Sequence, residues 1–124
     1  MSSTNRYRYV KTLCGKQILI VEDHPMMTSS MTEFLNNYDC THARSGKEAL
    51  EAIDRQRPDI ILVDSSCLDV VRVVRQNEKT KSVLIIGMCA KPRERSECLA
   101  AGCDAFILRP FGMRKFLDRL GGLL

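Results

Sequence analysis

Asp59-Ile60-Ile61-Leu62-Val63-Asp64 is the stretch from which the fold follows. Four apolar residues in a row, without alternation and with three β-branched side chains, read as a short strand buried on both faces. Pro58 stops whatever precedes it, and Asp64-Ser65-Ser66 ends it in turn-forming residues. Strands of this kind belong to parallel sheets covered by helices on both sides. The strand delivers a carboxylate, Asp64, at its C-terminal end, and in open α/β sheets the ligand crevice lies outside that end. An aspartate after a strand is also ordinary turn chemistry. A second run decides between the two readings: Gln17-Ile18-Leu19-Ile20-Val21 is likewise followed by Glu22-Asp23. In a parallel sheet both ends lie on one edge, so three carboxylates would meet and repel unless a cation neutralised them. Oxygen donors alone imply a hard cation, Mg²⁺ before Ca²⁺.

Outward from these runs the chain alternates. Residues 25–36 carry Met27, Met31, Phe34 and Leu35 at helical spacing, with Pro25 in the first turn. Residues 38–43 alternate as a second strand. Ser45-Gly46-Lys47-Glu48 is a capping box opening a helix whose buried face is Ala49, Leu50 and Ile53. The segment from Leu68 to Gln76 is rich in valine, which disfavours helix, but its place between two strands demands a crossover, so a short helix is expected. Ser82 to Gly87 is the fourth strand. Arg93 to Ala101 is a helix with Leu99 and Ala100 inward, closed by Gly102. Asp104 to Leu108 is the fifth strand, and Met113 to Leu120 the last helix. Five strands alternating with five helices predict a doubly wound, parallel α/β sandwich with right-handed crossovers, in the flavodoxin-like strand order 2-1-3-4-5. That order puts strand 1 beside strand 3 and brings Glu22, Asp23 and Asp64 together.

The bulk properties agree. The chain has 124 residues, 44% hydrophobic and 27% charged, enough for one domain with a real core. No apolar run is long enough to span a membrane, and the polar, basic start has no signal-peptide core, so a cytoplasmic protein without membrane association is expected. Nineteen basic residues face fifteen acidic ones. Four of the basic ones, Arg6, Arg8, Lys11 and Lys16, precede the first strand; the remainder is balanced, so the domain lacks the basic stripe of a nucleic-acid binder. Residues 1–15 are expected to be a flexible basic extension, and 16–124 the folded domain. Six cysteines, at 14, 40, 67, 89, 98 and 103, form no Cys-x-x-Cys pair and stand at no zinc spacing from His24 or His42. Most read as reduced residues in or near the core.

Three segments together, Ile18-Leu19-Ile20-Val21-Glu22-Asp23, Pro58 to Asp64, and Ala101-Gly102-Cys103-Asp104-Ala105-Phe106-Ile107-Leu108-Arg109-Pro110-Phe111, resemble the CheY-like receiver domain of two-component response regulators. The resemblance runs from about Lys16 to the C-terminus. It implies a signalling module rather than an enzyme, in which Asp64 accepts a phosphoryl group from a sensor histidine kinase or phosphotransfer protein. It further implies Mg²⁺ held by Glu22, Asp23, Asp64 and the backbone carbonyl of Ser66, and Phe106 as the switch aromatic. The output would pass to a downstream protein or output domain through the face of the fourth helix, fifth strand and fifth helix, with dimerisation as an option. Three departures stand out. Arg109 replaces the family's lysine, with a longer and planar cation. Gly87 stands in gapless spacing where the family has threonine or serine; a two-residue shift would put Cys89 there. Asp64-Ser65-Ser66-Cys67-Leu68 runs almost directly into the next helix. These departures support an alternative, a degenerate pseudo-receiver that binds partners without phosphorylation. A flavin- or nucleotide-binding reading is set aside, because Glu22-Asp23-His24-Pro25 would repel a phosphate where such proteins cradle one.

Overall fold

The computed structural model describes residues 15–24, 38–109, 111, 113–121 and 123. The expected helix at 25–36, the basic extension up to residue 14, and Pro110 lie outside the described residues. Five strands form one parallel sheet in the order β2-β1-β3-β4-β5: β1 (Gln17–Val21), β2 (Asp39–Ala43), β3 (Ile60–Asp64), β4 (Leu84–Cys89) and β5 (Ala105–Leu108). Four helices are found among the described residues: α1 (Gly46–Arg55), α2 (Leu68–Gln76), α3 (Arg95–Ala101) and α4 (Met113–Gly121). Single 3₁₀ turns, Ser65–Cys67 and Pro92–Glu94, lead into α2 and α3.

The unalternating strands are buried on both faces because two cores press on them. On one face Leu19, Val21, Ile61, Val63, Ile85 and Cys89 pack with Ala49 and Ile53 of α1, Val71 and Val74 of α2, and Cys98 and Ala101 of α3. On the other, Ile18, Ile20, Ile60, Leu62, Ile86, Met88 and Ile107 pack with Phe116, Leu117 and Leu120 of α4. Burial of this apolar area is the main stabilising term.

Local chemistry sets the helix ends as expected in α1, where the Ser45 hydroxyl accepts from Glu48 N at 3.2 Å and Glu48 Oε2 accepts from Arg44 N at 3.1 Å. The Leu68–Gln76 segment is helical despite its valines: Leu68, Val70, Val71 and Val74 are buried, so tertiary packing overrides the modest intrinsic cost.

Two expectations need correction. The fourth strand spans Leu84–Cys89 rather than Ser82–Gly87: Thr80–Ser82 are used in a turn that Thr80 Oγ1 ties to Val74 O at 2.9 Å, and the buried Met88 and Cys89 continue the ladder beside Ile107 and Leu108. In α3 the inward residues are Cys98 and Ala101, while Leu99 is 42% exposed and Ala100 is exposed. Cysteine sets the phase of this helix because it packs as a small hydrophobe. Gly102 closes α3 with φ +118°, a left-handed conformation, and a Cβ there would lie 2.9 Å from Arg75 Cγ.

Candidate functional site

The strand register builds the site. Val21 of β1 is the partner of Val63 of β3, so Glu22 and Asp64, each one residue further on, emerge side by side at the C-terminal edge. Arg109 follows β5 on the same edge, with its N–H bonded to Cys89 O at 2.8 Å. Its guanidinium Nη2 lies 3.1 Å from Glu22 Oε1 and forms an ion pair with Asp64 Oδ1. Glu22 is 1% exposed and the Asp64 and Arg109 side chains 12% and 13%, so these charges are largely withdrawn from water. Buried charges of this kind persist only when paired. Asp23 is exposed beside them, close enough to act electrostatically on Glu22 and on the Cys67 thiol.

Asp64 is bonded at both oxygens. Oδ1 takes Arg109; Oδ2 accepts from Ser66 N at 2.9 Å and from the Ser66 hydroxyl. Burial raises its pKa, but the two Ser66 hydrogen bonds and Arg109 outweigh it, and the net effect holds the carboxyl below its ordinary value of 3.8. Glu22 goes the other way: burial lifts it above 4.5, opposed by Arg109 and assisted by Asp64 and Asp23. One guanidinium thus serves two carboxylates whose affinities for a proton are pushed apart. The neighbouring serine, Ser65, donates its hydroxyl to Glu94 Oε2, joining the loop after β3 to the loop after β4. Sequence carries no signal for that contact, since the partners are 29 residues apart.

Gly87 does not face Asp64. Asp64 is the partner of Met88, and Gly87, partner of Val63 and Phe106, falls one step earlier on the opposite face of the sheet. A Cβ on Gly87 would lie 2.8 Å from Cys98 Sγ and 3.3 Å from Cys103 Sγ. Glycine is there because thiols fill the space. Cys89, at the alternative position, is also turned into this group, with its Sγ 3.2 Å from Cys98 Sγ. All three are free and buried; burial pushes Cys89 up to about 12 and Cys103 up to about 11, and raises Cys98. Such thiols are packing residues with little thiolate character. Phe106 is half-buried between Arg95 and Arg119, whose guanidinium carbons stand 5.1 and 5.3 Å from its ring centroid.

The donor set of Glu22, Asp23 and Asp64 suits a hard divalent cation in kind. In the arrangement observed, however, a guanidinium nitrogen stands between Glu22 and Asp64, and no group of three or more His, Cys, Asp or Glu among the described residues is placed to hold a metal ion. The geometry therefore does not fit a bound Mg²⁺.

Comparison with known proteins places this arrangement. The family profile "Response regulator receiver domain" matches residues 18–121. The chain is 31% identical over 121 residues to the phosphate regulon transcriptional regulatory protein PhoB of Pseudomonas aeruginosa, covering 90% of this chain and 53% of that one. It is also 31% identical over 114 residues to the probable transcriptional regulatory protein TcrX of Mycobacterium tuberculosis, covering 86% of this chain and 49% of that one. The chain spans about half the length of the curated relatives it matches. Among solved structures, the chemotaxis protein CheY4 of Vibrio cholerae superposes with a TM-score of 0.80 at 24% identity, covering 88% of this chain and 98% of that chain, a likeness of fold. The receiver domain of sensor histidine kinase PA1611 from Pseudomonas aeruginosa, described with magnesium coordinated in its active-site cleft, gives 0.76 at 31% identity, covering 86% and 94%. With its profile match over nearly the whole described sheet and its strand order, the chain belongs to the response regulator receiver domain family.

Proposed function

We propose that this domain accepts a phosphoryl group on Asp64 in a two-component relay. The observation that carries the reading is the placing of Asp64: last residue of a fully buried strand, at the functional edge, ionised by its Ser66 and Arg109 contacts. In-line transfer needs the carboxylate rather than the carboxylic acid, and a pKa held below the ordinary value keeps that form present at neutral pH. A carboxylate oxygen attacks phosphorus, an acyl phosphate forms on Asp64, and the bond from phosphorus to the donor histidine nitrogen breaks, the nitrogen keeping the electron pair. Positioning and charge neutralisation do most of the work in such a transfer. Ser66 N–H holds Oδ2, and Arg109 neutralises charge at Oδ1. Arg109 Nε is buried and has no acceptor among the described residues, which costs about 1–3 kcal/mol; a phosphoryl oxygen on Asp64 is an acceptor of the right charge.

The donor would be a sensor histidine kinase or a phosphotransfer protein. The output would run through α3, β5 and α4, where Phe106 is the switch aromatic. Because Gly87 bears no hydroxyl, Phe106 would be released by loss of its contacts to Arg95 and Arg119 rather than by following a threonine. The relatives named as transcriptional regulators support an output domain beyond this one. A cytoplasmic setting is supported by the free cysteines and by the absence, among the described residues, of any helix long and apolar enough to cross a membrane.

Incubation with acetyl phosphate, Mg²⁺ present throughout, tests the reading by intact mass. The wild-type chain should gain one phosphoryl group and Asp64→Asn none. An unchanged wild-type mass, with a control receiver labelled alongside, would refute it and leave a module that signals unmodified.

A further inference from the structure

The edge where carboxylates converge already contains a cation, and the chain itself supplies it. Arg109 Nη2 touches one oxygen of each buried carboxylate, at 3.1 Å from Glu22 Oε1 and in an ion pair with Asp64 Oδ1. Its backbone is fixed to Cys89 O at 2.8 Å, so the side chain starts from a rigid strand end. A planar guanidinium remains charged at any working pH, and its length lets one nitrogen bridge two acceptors. A divalent ion would need these same oxygens, in near-octahedral contact about 2.0–2.1 Å long. It would also need a fixed positive charge to leave its place, since like charges at this range repel strongly in a water-poor site.

We propose that Arg109 is the resident counter-cation of this site, and that it competes with divalent metal for Glu22 and Asp64. The wild-type domain then binds Mg²⁺ weakly, and removing the guanidinium opens a divalent-cation site. The inference concerns the same site as the phosphoacceptor reading but stands on the ion pairs alone, so a metal-binding readout tests it apart from phosphoryl transfer.

Mn²⁺ is a suitable probe, because free and bound ion are distinguished by electron paramagnetic resonance, and Mg²⁺ competition shows that the site is shared. Arg109→Ala should bind Mn²⁺ about tenfold or more tighter than the wild type, the range expected for removing a close like charge. Adding Asp64→Asn to Arg109→Ala should abolish the gain. Circular dichroism reports whether each variant is folded. Should Arg109→Ala not fold, Arg109→Gln, neutral, polar and shorter than arginine, replaces it with the same expectation. Wild-type affinity equal to or above that of the folded variant would overturn the proposal. So would a gain that survives the loss of Asp64, or a folded variant that binds no Mn²⁺.

Discussion

Ser66 makes two hydrogen bonds to a single oxygen of Asp64, one from its N–H and one from its hydroxyl. Both favour the charged carboxylate, so Ser66→Ala should raise the Asp64 pKa towards its ordinary value of 3.8, because burial then works with less opposition. A carbon-detected NMR titration of the side-chain carboxyl reads this directly; an unmoved midpoint would show that the hydroxyl contributes nothing. Gly87 invites the opposite experiment. Gly87→Ser places a Cβ 2.8 Å from Cys98 Sγ and should destabilise the domain by about 1–3 kcal/mol in urea unfolding. Cys98→Ala in the same chain should return part of that loss, whereas purely additive effects would show that the thiol is not what glycine accommodates. Of the candidate site, the placing of its two buried carboxylates was legible at this scale. Asp64 and Glu22 follow from two apolar runs that each end in acid. The bridging role of Arg109 did not, because it depends on where a long side chain lies, and the thiols packed against Gly87 did not, because Cys98 and Cys103 reach it from other parts of the chain.

Among elements, α2 shows how packing decides where propensity is ambiguous. Its last turn is anchored by Arg75, whose guanidinium donates to Gly102 O at 2.8 Å, Lys81 O at 2.7 Å, Val83 O at 2.6 Å and Asp104 Oδ2 at 2.8 Å. Asp104 Oδ2 in turn accepts from Ile85 N at 2.8 Å. One side chain therefore ties α2 to the starts of β4 and β5 and to the cap of α3. Arg75→Met removes four hydrogen bonds at a partly exposed site and should cost about 1–3 kcal/mol. A loss under 1 kcal/mol would show that water replaces the arginine freely. The strands of this region could be read from their β-branched runs and the helices from their position between strands. The end of β4 and the phase of α3 were misplaced for one reason: Cys89 and Cys98 are core residues here, and thiols carry no distinctive periodic signal. The Thr80 turn, by contrast, depends on a hydroxyl-to-carbonyl bond that no pattern of hydrophobicity encodes.

For the molecule as a whole, His42 of the edge strand β2 gives stability a specific dependence on pH near neutrality. Burial, with Arg44 adding to it, holds the imidazole below its ordinary 6.5. The unfolded chain therefore binds this proton first as pH falls, so the stability present above 6.5 is lost as pH drops from 6.5 through the folded value. Thermal midpoints should decline over that interval, and His42→Gln should decline less; parallel curves would assign the slope elsewhere. The same parallel sheet collects Glu22, Asp64 and Arg109, the ends of three separate strands, at one edge. Its order was readable from alternation, which leaves few topologies for five strands in a chain of this length. The function proposed for this edge is to form an acyl phosphate on Asp64. Treatment with acetyl phosphate, then reduction with borohydride and peptide sequencing by mass spectrometry, tests it most directly, because an acyl phosphate is reduced to the alcohol and leaves homoserine at the modified position. Homoserine is expected at position 64, absent when the donor is omitted and absent from Asp64→Asn. An unmodified Asp64 in a chain that is folded and fully exposed to donor, or reduction at Glu22 or Asp23 instead, would contradict it.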